Sequence, residues 1–351
     1  MKTQGVYDPE ISVIIPTRNR ALSVRSTLES LAGQDLACPW ELLLVDNGST
    51  DDTKTVASSF FDRLPLRLLH EAIPGKSRSL NRALEHAKGH LIAFTDDDVH
   101  VSCKWLSELH RAAAIFPEAS VFCGPVTPVH PPSSPSWLRA HFFSSALFAR
   151  FELSVAEGVL PAPLVPFGPN FALRTKACAG MHFRMDLGPS DSGRLMCEDI
   201  EFLERFRKQG AQFIYVPSAW VKHQIREELY MAPSQYDRAF NLGRSLLIAG
   251  PLLIAEKLIA CLRTFAFSPN SETSAFEHAV ILNFYLGELC QLDILGDITE
   301  FRLICRLLES LGWHGEAAWL GTDAKEWLRK CPTSFAADVC IEAPTDTITS
   351  S

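Results

Sequence analysis

The sequence carries ten cysteines but no C-x-x-C pair. Thiols scattered in this way through 351 residues point to buried or free cysteines in a reducing compartment, not to a disulfide framework or a zinc knuckle. There is no long basic run, and the formal net charge is -8, which argues against a nucleic-acid footprint. The first residues, Met1-Lys2-Thr3-Gln4-Gly5, lack the apolar core of a signal peptide, so a cytoplasmic location is expected. No internal repeat is visible. No apolar stretch of about 20 residues runs free of charge, the requirement for a spanning helix. The greasiest stretch, Leu246 to Ala255, lies inside a longer segment, Tyr236 to Phe267, and is followed by Glu256, Lys257 and Arg263. What remains, 47% hydrophobic and 21% charged residues, is the composition of a globular protein with room for one large domain or two moderate ones.

One segment stands out against this background. Leu91-Ile92-Ala93-Phe94 reads as a short buried strand and runs through Thr95 into Asp96-Asp97-Asp98. Three like charges at the end of a buried strand need a positive partner. A divalent cation of the Mg²⁺ type is held by one or two carboxylates together with substrate phosphate oxygens, so the cluster suggests a grip on a metal–diphosphate. Taken alone, the same residues also fit a solvated acidic turn.

The first 125 residues alternate strand-like and helix-like segments. Ile11–Ile15, Glu41–Val45, Leu66–Leu69 and Leu91–Phe94 read as buried strands. Arg20–Gln34, Thr53–Phe61 and Ser77–Ala87 read as the helices between them. This alternation predicts a parallel sheet with helices on its faces, with ligands bound beyond the carboxyl ends of the strands. Pro16-Thr17-Arg18, Asp46-Asn47-Gly48 and Asp96-Asp97-Asp98 then share one rim. Residues 127–166 are proline-rich at both ends and hold Trp137, Phe142, Phe143, Phe148 and Phe151, an insertion expected to pack over that rim with mobile edges. Phe167-Gly168-Pro169-Asn170 is a turn entering a strand, Glu198–Lys208 a helix, and Phe213–Val216 a strand. The Tyr236–Phe267 segment suits core or oligomer packing, or an interfacial helix whose Arg238, Arg244, Lys257 and Arg263 meet anionic lipid. Residues 275–330 read as further amphipathic helices.

These segments, in this order, resemble the inverting family 2 glycosyltransferases of the GT-A fold. The resemblance covers roughly residues 11–225 and rests on Ile11 to Asn19, Leu28-Glu29-Ser30-Leu31 with Gln34, Val45 to Thr53, Asn81 to Gly89, Asp96-Asp97-Asp98 with Trp105-Leu106, Gly168-Pro169-Asn170, Glu198-Asp199 and His223. It implies an α/β fold: a mostly parallel GT-A-type sheet flanked by helices over residues 8–228, followed by a C-terminal helical region over 229–338 and a disordered tail over 339–351. By the same resemblance, Pro16, Thr17, Arg18, Asp46, Asn47, Arg78, Asn81, Asp96 and Asp97 would bind the nucleotide sugar, with Asp46 accepting from uracil N–H or a similar base edge. Asp98, with Asp96 and His223, would hold Mn²⁺ or Mg²⁺. Asn170 would line the sugar or acceptor site. Asp199 would be the base that deprotonates the acceptor hydroxyl, with Glu198 as its alternate, because direct displacement needs one base.

The implied partners are a nucleotide-diphosphate sugar, most simply a UDP-sugar, and a glycan or lipid-linked acceptor. No nucleic acid is expected. Peripheral contact with the inner face of the cell membrane and homo-oligomer formation are the two partner readings of the C-terminal segment. Many relatives carry Arg immediately before the position of Asn81; here it is Leu80, and Lys76 or Arg78 is left to supply charge to the diphosphate. A sugar-nucleotide pyrophosphorylase would share such a sheet, but it calls for a glycine-rich, arginine-containing loop after the first strand. Pro16-Thr17-Arg18-Asn19-Arg20 has no glycine. A non-catalytic binding or membrane-scaffold protein would have no need of the acidic set.

Overall fold

The computed structural model describes residues 8–134, 148–191, 193, 195–249 and the isolated positions 280, 284, 287 and 291. Trp137, Phe142 and Phe143, the part of the apolar segment beyond Ala249, the helices expected over 275–330 and the tail lie outside the described residues, apart from those four positions. No helix among the described residues is long and apolar enough to cross a membrane.

The expected α/β architecture is present. Strands β1 (Ile11–Thr17), β2 (Trp40–Asp46), β3 (Leu66–His70) and β4 (Leu91–Phe94) run parallel in the order β3-β2-β1-β4. β1 and β4 are buried along their whole length, as both faces are covered. That is why they read as unbroken apolar runs and not as alternating ones. Helices α1 (Ala21–Leu31), α2 (Thr53–Ser58) and α3 (Lys76–Leu84) connect them. The sheet then continues through β9 (Phe171–Arg174), β6 (Val121–Cys123), β10 (Phe213–Tyr215) and β8 (Gly158–Val159).

The eight-stranded sheet is mixed. β9 lies antiparallel between β4 and β6, and β8 antiparallel on β10. A smaller sheet, β5-β11-β7, pairs Val99–Val101 with Val221–Gln224 and Val126–Val129. Helix α4 (Trp105–Ile115) packs against β6, and α5 (Glu198–Lys208) and α6 (Ala232–Ala249) follow. The proline-rich start of the insertion is therefore an edge strand, a position where Pro128 removes no needed ladder bond. Phe148 and Phe151 are buried, and Phe151 bridges to Val126.

Register places the rim. Thr17 pairs with Asp46, and Asp46 with His70, so β1, β2 and β3 end level. β4 ends opposite Ile14, which lets the chain turn back and bring Asp97 to Thr17. Behind the rim, Asn170 ties three elements together. Its Oδ1 accepts from Trp105 Nε1–H (2.8 Å), and its Nδ2 donates to Ala219 O (2.7 Å) and Pro125 O (3.0 Å). The residue is fully buried. The sugar or acceptor contact expected of Asn170 is thus replaced by a framework role, because both ends of its amide are spent on the core.

Asn170→Ala removes the partners of the Trp105 indole N–H and the Ala219 carbonyl, while Pro125 O keeps its bond from Val221 N–H (2.9 Å), and is expected to lower stability by about 2–4 kcal/mol. Urea unfolding checks this: a variant with unchanged stability and lost activity would return Asn170 to the acceptor site.

Candidate active site

Lys76 opens α3 and points its ammonium into the acidic rim. Its Nζ lies 2.9 Å from Asp96 Oδ1 and 3.1 Å from Glu198 Oε1. Burial works against its charge, but Asp96, Glu198 and Asp199 together hold it well above the usual lysine range. Lys76 is therefore the positive partner that the carboxylate cluster requires. It joins the end of β4 to the start of α5 across more than a hundred residues of sequence.

Glu198 and Asp199 open α5, where the helix dipole favours carboxylates. Their roles differ. Glu198 is buried against Lys76. Asp199 is half-buried and held by backbone: Ile200 N–H donates to Oδ1 (2.8 Å) and Gly168 N–H to Oδ2. Burial and the adjacent Glu198 push Asp199 up, and Lys76 and the two N–H groups pull it back, leaving it at about 6. A carboxyl poised there is a better general base near neutrality than one locked in an ion pair. Position 168 cannot carry a side chain freely, since a Cβ there would sit 3.0 Å from Asp199 Oδ2.

On the other flank of the triplet, Asp98 Oδ1 lies 3.4 Å from His223 Nε2. His223 Nδ1 faces the Phe148 carbonyl at 2.9 Å. With Nδ1–H donated there, Nε2 is turned toward Asp98, the arrangement that orients ligating imidazoles. One carboxylate and one imidazole suit Mn²⁺ or Mg²⁺ when phosphate oxygens complete the shell. The expected third ligand is not assembled. Asp96 is drawn to Lys76 instead, and no group of three His, Cys, Asp or Glu side chains gathers among the described residues. Burial would raise Asp98, but His223, Arg20 and Lys76 hold it low. Asp97 behaves oppositely: burial and repulsion by Asp98 push it up, although Arg20 and the bond it accepts from Thr17 Oγ1–H (2.6 Å) pull the other way. Asp97 Oδ2 and Thr17 Oγ1 thus clasp one another.

The remaining expected contacts divide. Asp46 is buried at the end of β2; Ser49 N–H donates to its Oδ1 (3.2 Å), while Oδ2 accepts no hydrogen bond among the described residues and has Lys54 Nζ and His70 Nδ1 each 3.4 Å away. Pro16 is a buried strand residue. Asn47 braces the loop before α3, donating to Glu71 O and Ile73 O and accepting from Gly75 N–H, and so is not free to read a nucleotide. Asn81 is likewise committed, exchanging two bonds with the backbone of Phe183. Arg18 pairs with Asp191, its Nη1 2.6 Å from Oδ1. Arg78 makes no ion pair among the described residues.

Three arginines were not singled out by the sequence as site residues. Arg20, Arg226 and Arg238 converge on the Asp97–Asp98 flank from the β1–α1 turn, the segment after β11 and α6. Arg20 Nη1 and Arg226 Nε are buried without an acceptor among the described residues. Burial lowers Arg238 to about 10 even though Asp98 pulls the other way, and Arg226 and Arg20 add to the drop. Like charges gathered in this way suit an anion. No local motif marks them, because their proximity exists only in the fold.

Known proteins are similar to this chain to different degrees. The family model described as Glycosyl transferase family 2 matches residues 12–178. The succinoglycan biosynthesis protein ExoM of Rhizobium meliloti (strain 1021) is 26% identical over 232 residues, covering 64% of this chain and 71% of ExoM. The pre-mycofactocin glycosyltransferase of Mycobacterium tuberculosis (strain CDC 1551 / Oshkosh) is 27% identical over 231 residues, again 64% of this chain but 45% of that protein's length. In three dimensions the chain is similar to residues 1-349 of S. aureus TarS in complex with UDP, with a TM-score of 0.51 and 17% identity over 87% of this chain and 92% of that one. That likeness concerns the fold.

The titration of Asp199 gives a direct test. A base must be unprotonated, so kcat/KM for transfer is expected to fall with one proton as the pH drops through about 6. Lys76→Met removes the cation that lowers Asp199, so this acid limb is expected to move to higher pH. A limb that stays in place, or moves down, would separate Lys76 from the base.

Proposed function

We propose that this chain, whose residues 12–178 match the family model described as Glycosyl transferase family 2, is a nucleotide-sugar-dependent glycosyltransferase that transfers its sugar with inversion at the anomeric carbon. The observation that carries the reading is Asp199, a half-buried carboxylate at the start of α5, raised toward neutrality and linked through its neighbour Glu198 and Lys76 to the Asp96–Asp98 cluster.

The proposed step is a single displacement. Asp199 accepts the proton of the acceptor hydroxyl as that oxygen bonds to the anomeric carbon. The bond from that carbon to the diphosphate oxygen breaks on the opposite face, and the nucleoside diphosphate leaves with the electron pair. Lys76 lies between base and diphosphate and can stabilise the leaving group; Arg20 and Arg226 supply further positive charge on the far flank. Asp98 and His223 would hold Mn²⁺ or Mg²⁺, which when bound supplies Lewis acidity at the phosphates. Glu198 holds Lys76 in place. Because it is spent on that ion pair, it is the weaker candidate for the base.

The acceptor is proposed to be a polysaccharide or lipid-linked glycan, in keeping with a relative named for succinoglycan biosynthesis. Peripheral seating on the inner face of the cell membrane would bring such an acceptor to the rim.

Asp199→Asn is expected to bind nucleoside diphosphate as the parent does, while turnover falls by about 10²–10⁴-fold, the usual span for loss of a general base. Chelation with EDTA is expected to abolish transfer and Mn²⁺ to restore it; Asp98→Ala is expected to lose that rescue. Calorimetric titration and product assay measure both. An Asp199→Asn enzyme of full activity beside a dead Glu198→Gln would exchange the roles of the pair, and full activity in excess chelator would remove the metal.

A further inference from the structure

The base stands on a turn that its own residues do little to stabilise. Asp199 is the second residue of α5, and the residue before the helix, Cys197, has φ 69° and ψ 18°, in the left-handed region. A residue with a Cβ rarely adopts that conformation, whereas glycine takes it readily. Cys197 makes no side-chain capping bond among the described residues. Its thiol is buried, and burial together with Asp199 and Glu198 pushes it up, so it stays protonated and brings no charge to the turn. Its carbonyl accepts from Glu201 N–H (3.0 Å), the bond that starts the helix. The backbone angles at 197 therefore set the direction in which Glu198 and Asp199 leave the turn, and they need a hold from outside it.

That hold comes from α6, which packs against α5. Met196 N–H donates to Ser245 Oγ (2.8 Å), and the Ser245 hydroxyl hydrogen is donated in turn to Asn241 O, one turn back in the same helix. With its hydrogen spent there, the oxygen offers a lone pair, which is what an N–H needs. Ser245 is fully buried. A serine in a helix interior that bonds back to the i−4 carbonyl slightly weakens its own helix, so its gain lies in the bond it makes outside that helix. Glu198 is closed in from another segment, since a Cβ at Gly188 would lie 3.4 Å from its Cγ and Cδ. Gly168 N–H thus holds the Asp199 carboxylate, and Ser245 holds the backbone that leads to it.

We propose that Ser245 is a positioning residue for the transfer: by accepting the Met196 N–H it keeps Cys197 left-handed and so aims Asp199 at the acceptor hydroxyl. This inference rests on the proposed function, since it takes Asp199 as the base. Ser245 acts through residues 196–199 and touches no reacting atom. It lies beyond residues 12–178, so the first helix after the η turn at Glu227–Tyr230 becomes part of the catalytic unit and not an appendage to it. A base must sit within a narrow range of the proton it takes, and a small displacement of its backbone is enough to slow the reaction while the donor binds as before.

The test compares turnover with nucleotide affinity in the full chain. Slow hydrolysis in Mn²⁺, with water as the acceptor, gives kcat for whichever of UDP-glucose, UDP-N-acetylglucosamine and GDP-mannose the parent chain cleaves fastest. Calorimetric titration with the matching nucleoside diphosphate gives the affinity. Ser245→Ala is expected to lower kcat by about 10–10²-fold, the cost of a small displacement of a catalytic group, and to leave the affinity unchanged. Glycine takes the left-handed conformation readily, so adding Cys197→Gly to Ser245→Ala is expected to return most of the lost turnover, a rescue that a general loss of stability would not show. Circular dichroism confirms that the variants are folded, and Ser245→Cys, which keeps the bulk and weakens the acceptor, supplies the same comparison if Ser245→Ala is not. Parent turnover in Ser245→Ala, an affinity that falls in step with turnover, or a loss that Cys197→Gly does not relieve would each overturn the proposal while leaving the transferase reading intact. A parent chain that cleaves none of the three donors would overturn that reading, and this inference with it.

Discussion

The ion pairs of Lys76 are the constraint on which the rest of the site depends. An ammonium at the first residue of a helix faces the positive end of the helix dipole, which is unfavourable by itself. Asp96 and Glu198, which come within 3.1 Å, reverse that balance. In turn, the carboxylates at the end of β4 and the start of α5 could not be held so close together without a cation between them. The pairing links the part of the rim where a diphosphate would rest to the part where a hydroxyl would be deprotonated. It also divides the acidic residues by role. Glu198 is fixed by its ion pair, Asp98 is turned to His223, Asp97 is buried against Thr17, and Asp199 alone keeps a carboxylate that backbone N–H groups hold without a cationic contact at hydrogen-bonding distance.

A second layer of bonds keeps this geometry in place. The segment 181–191 lies along α3, held by Asn81 on the backbone of Phe183, by Ser77 Oγ–H donated to Leu187 O (2.8 Å), by Lys76 N–H donated to Pro189 O (3.0 Å), and by the Arg18–Asp191 pair. These bonds fix where Lys76 enters the rim and lead the chain on to Cys197 and the base. Asn47, Asn81 and Asn170 do comparable work: each spends both ends of its amide on the backbone or an indole. Buried amides of this kind set positions and leave the chemistry to the charged groups.

Much of this was legible in the sequence, for physical reasons that differ by residue. Strands β1, β2 and β4 are buried on both faces and so read as apolar runs. The rim followed from where those runs stop, at Thr17, Asp46 and Asp96. Helix α5 was visible because its apolar positions repeat at helical spacing and acidic residues open it. The three-stranded sheet was hidden. Its strands are three or four residues long, and β7 contains Pro128, whose edge position no local pattern reveals. The framework bonds of Asn47, Asn81 and Asn170 were hidden for a related cause: a polar residue in a motif looks the same whether its amide faces a ligand or the core. The site roles of Arg20, Arg226 and Arg238, the last read in the sequence only as a lipid contact, were hidden because each acquires its meaning from partners distant in sequence.

The central claim is that one carboxylate, Asp199, directs a single displacement across the rim held by Lys76. Stereochemistry tests it without knowledge of the natural acceptor. Slow hydrolysis of an α-linked nucleotide sugar, with water in place of the acceptor, can be followed by proton NMR before the released sugar mutarotates. The account predicts that the first anomer to appear is β. Release of the α anomer first would mean two displacements or retention, and would contradict it.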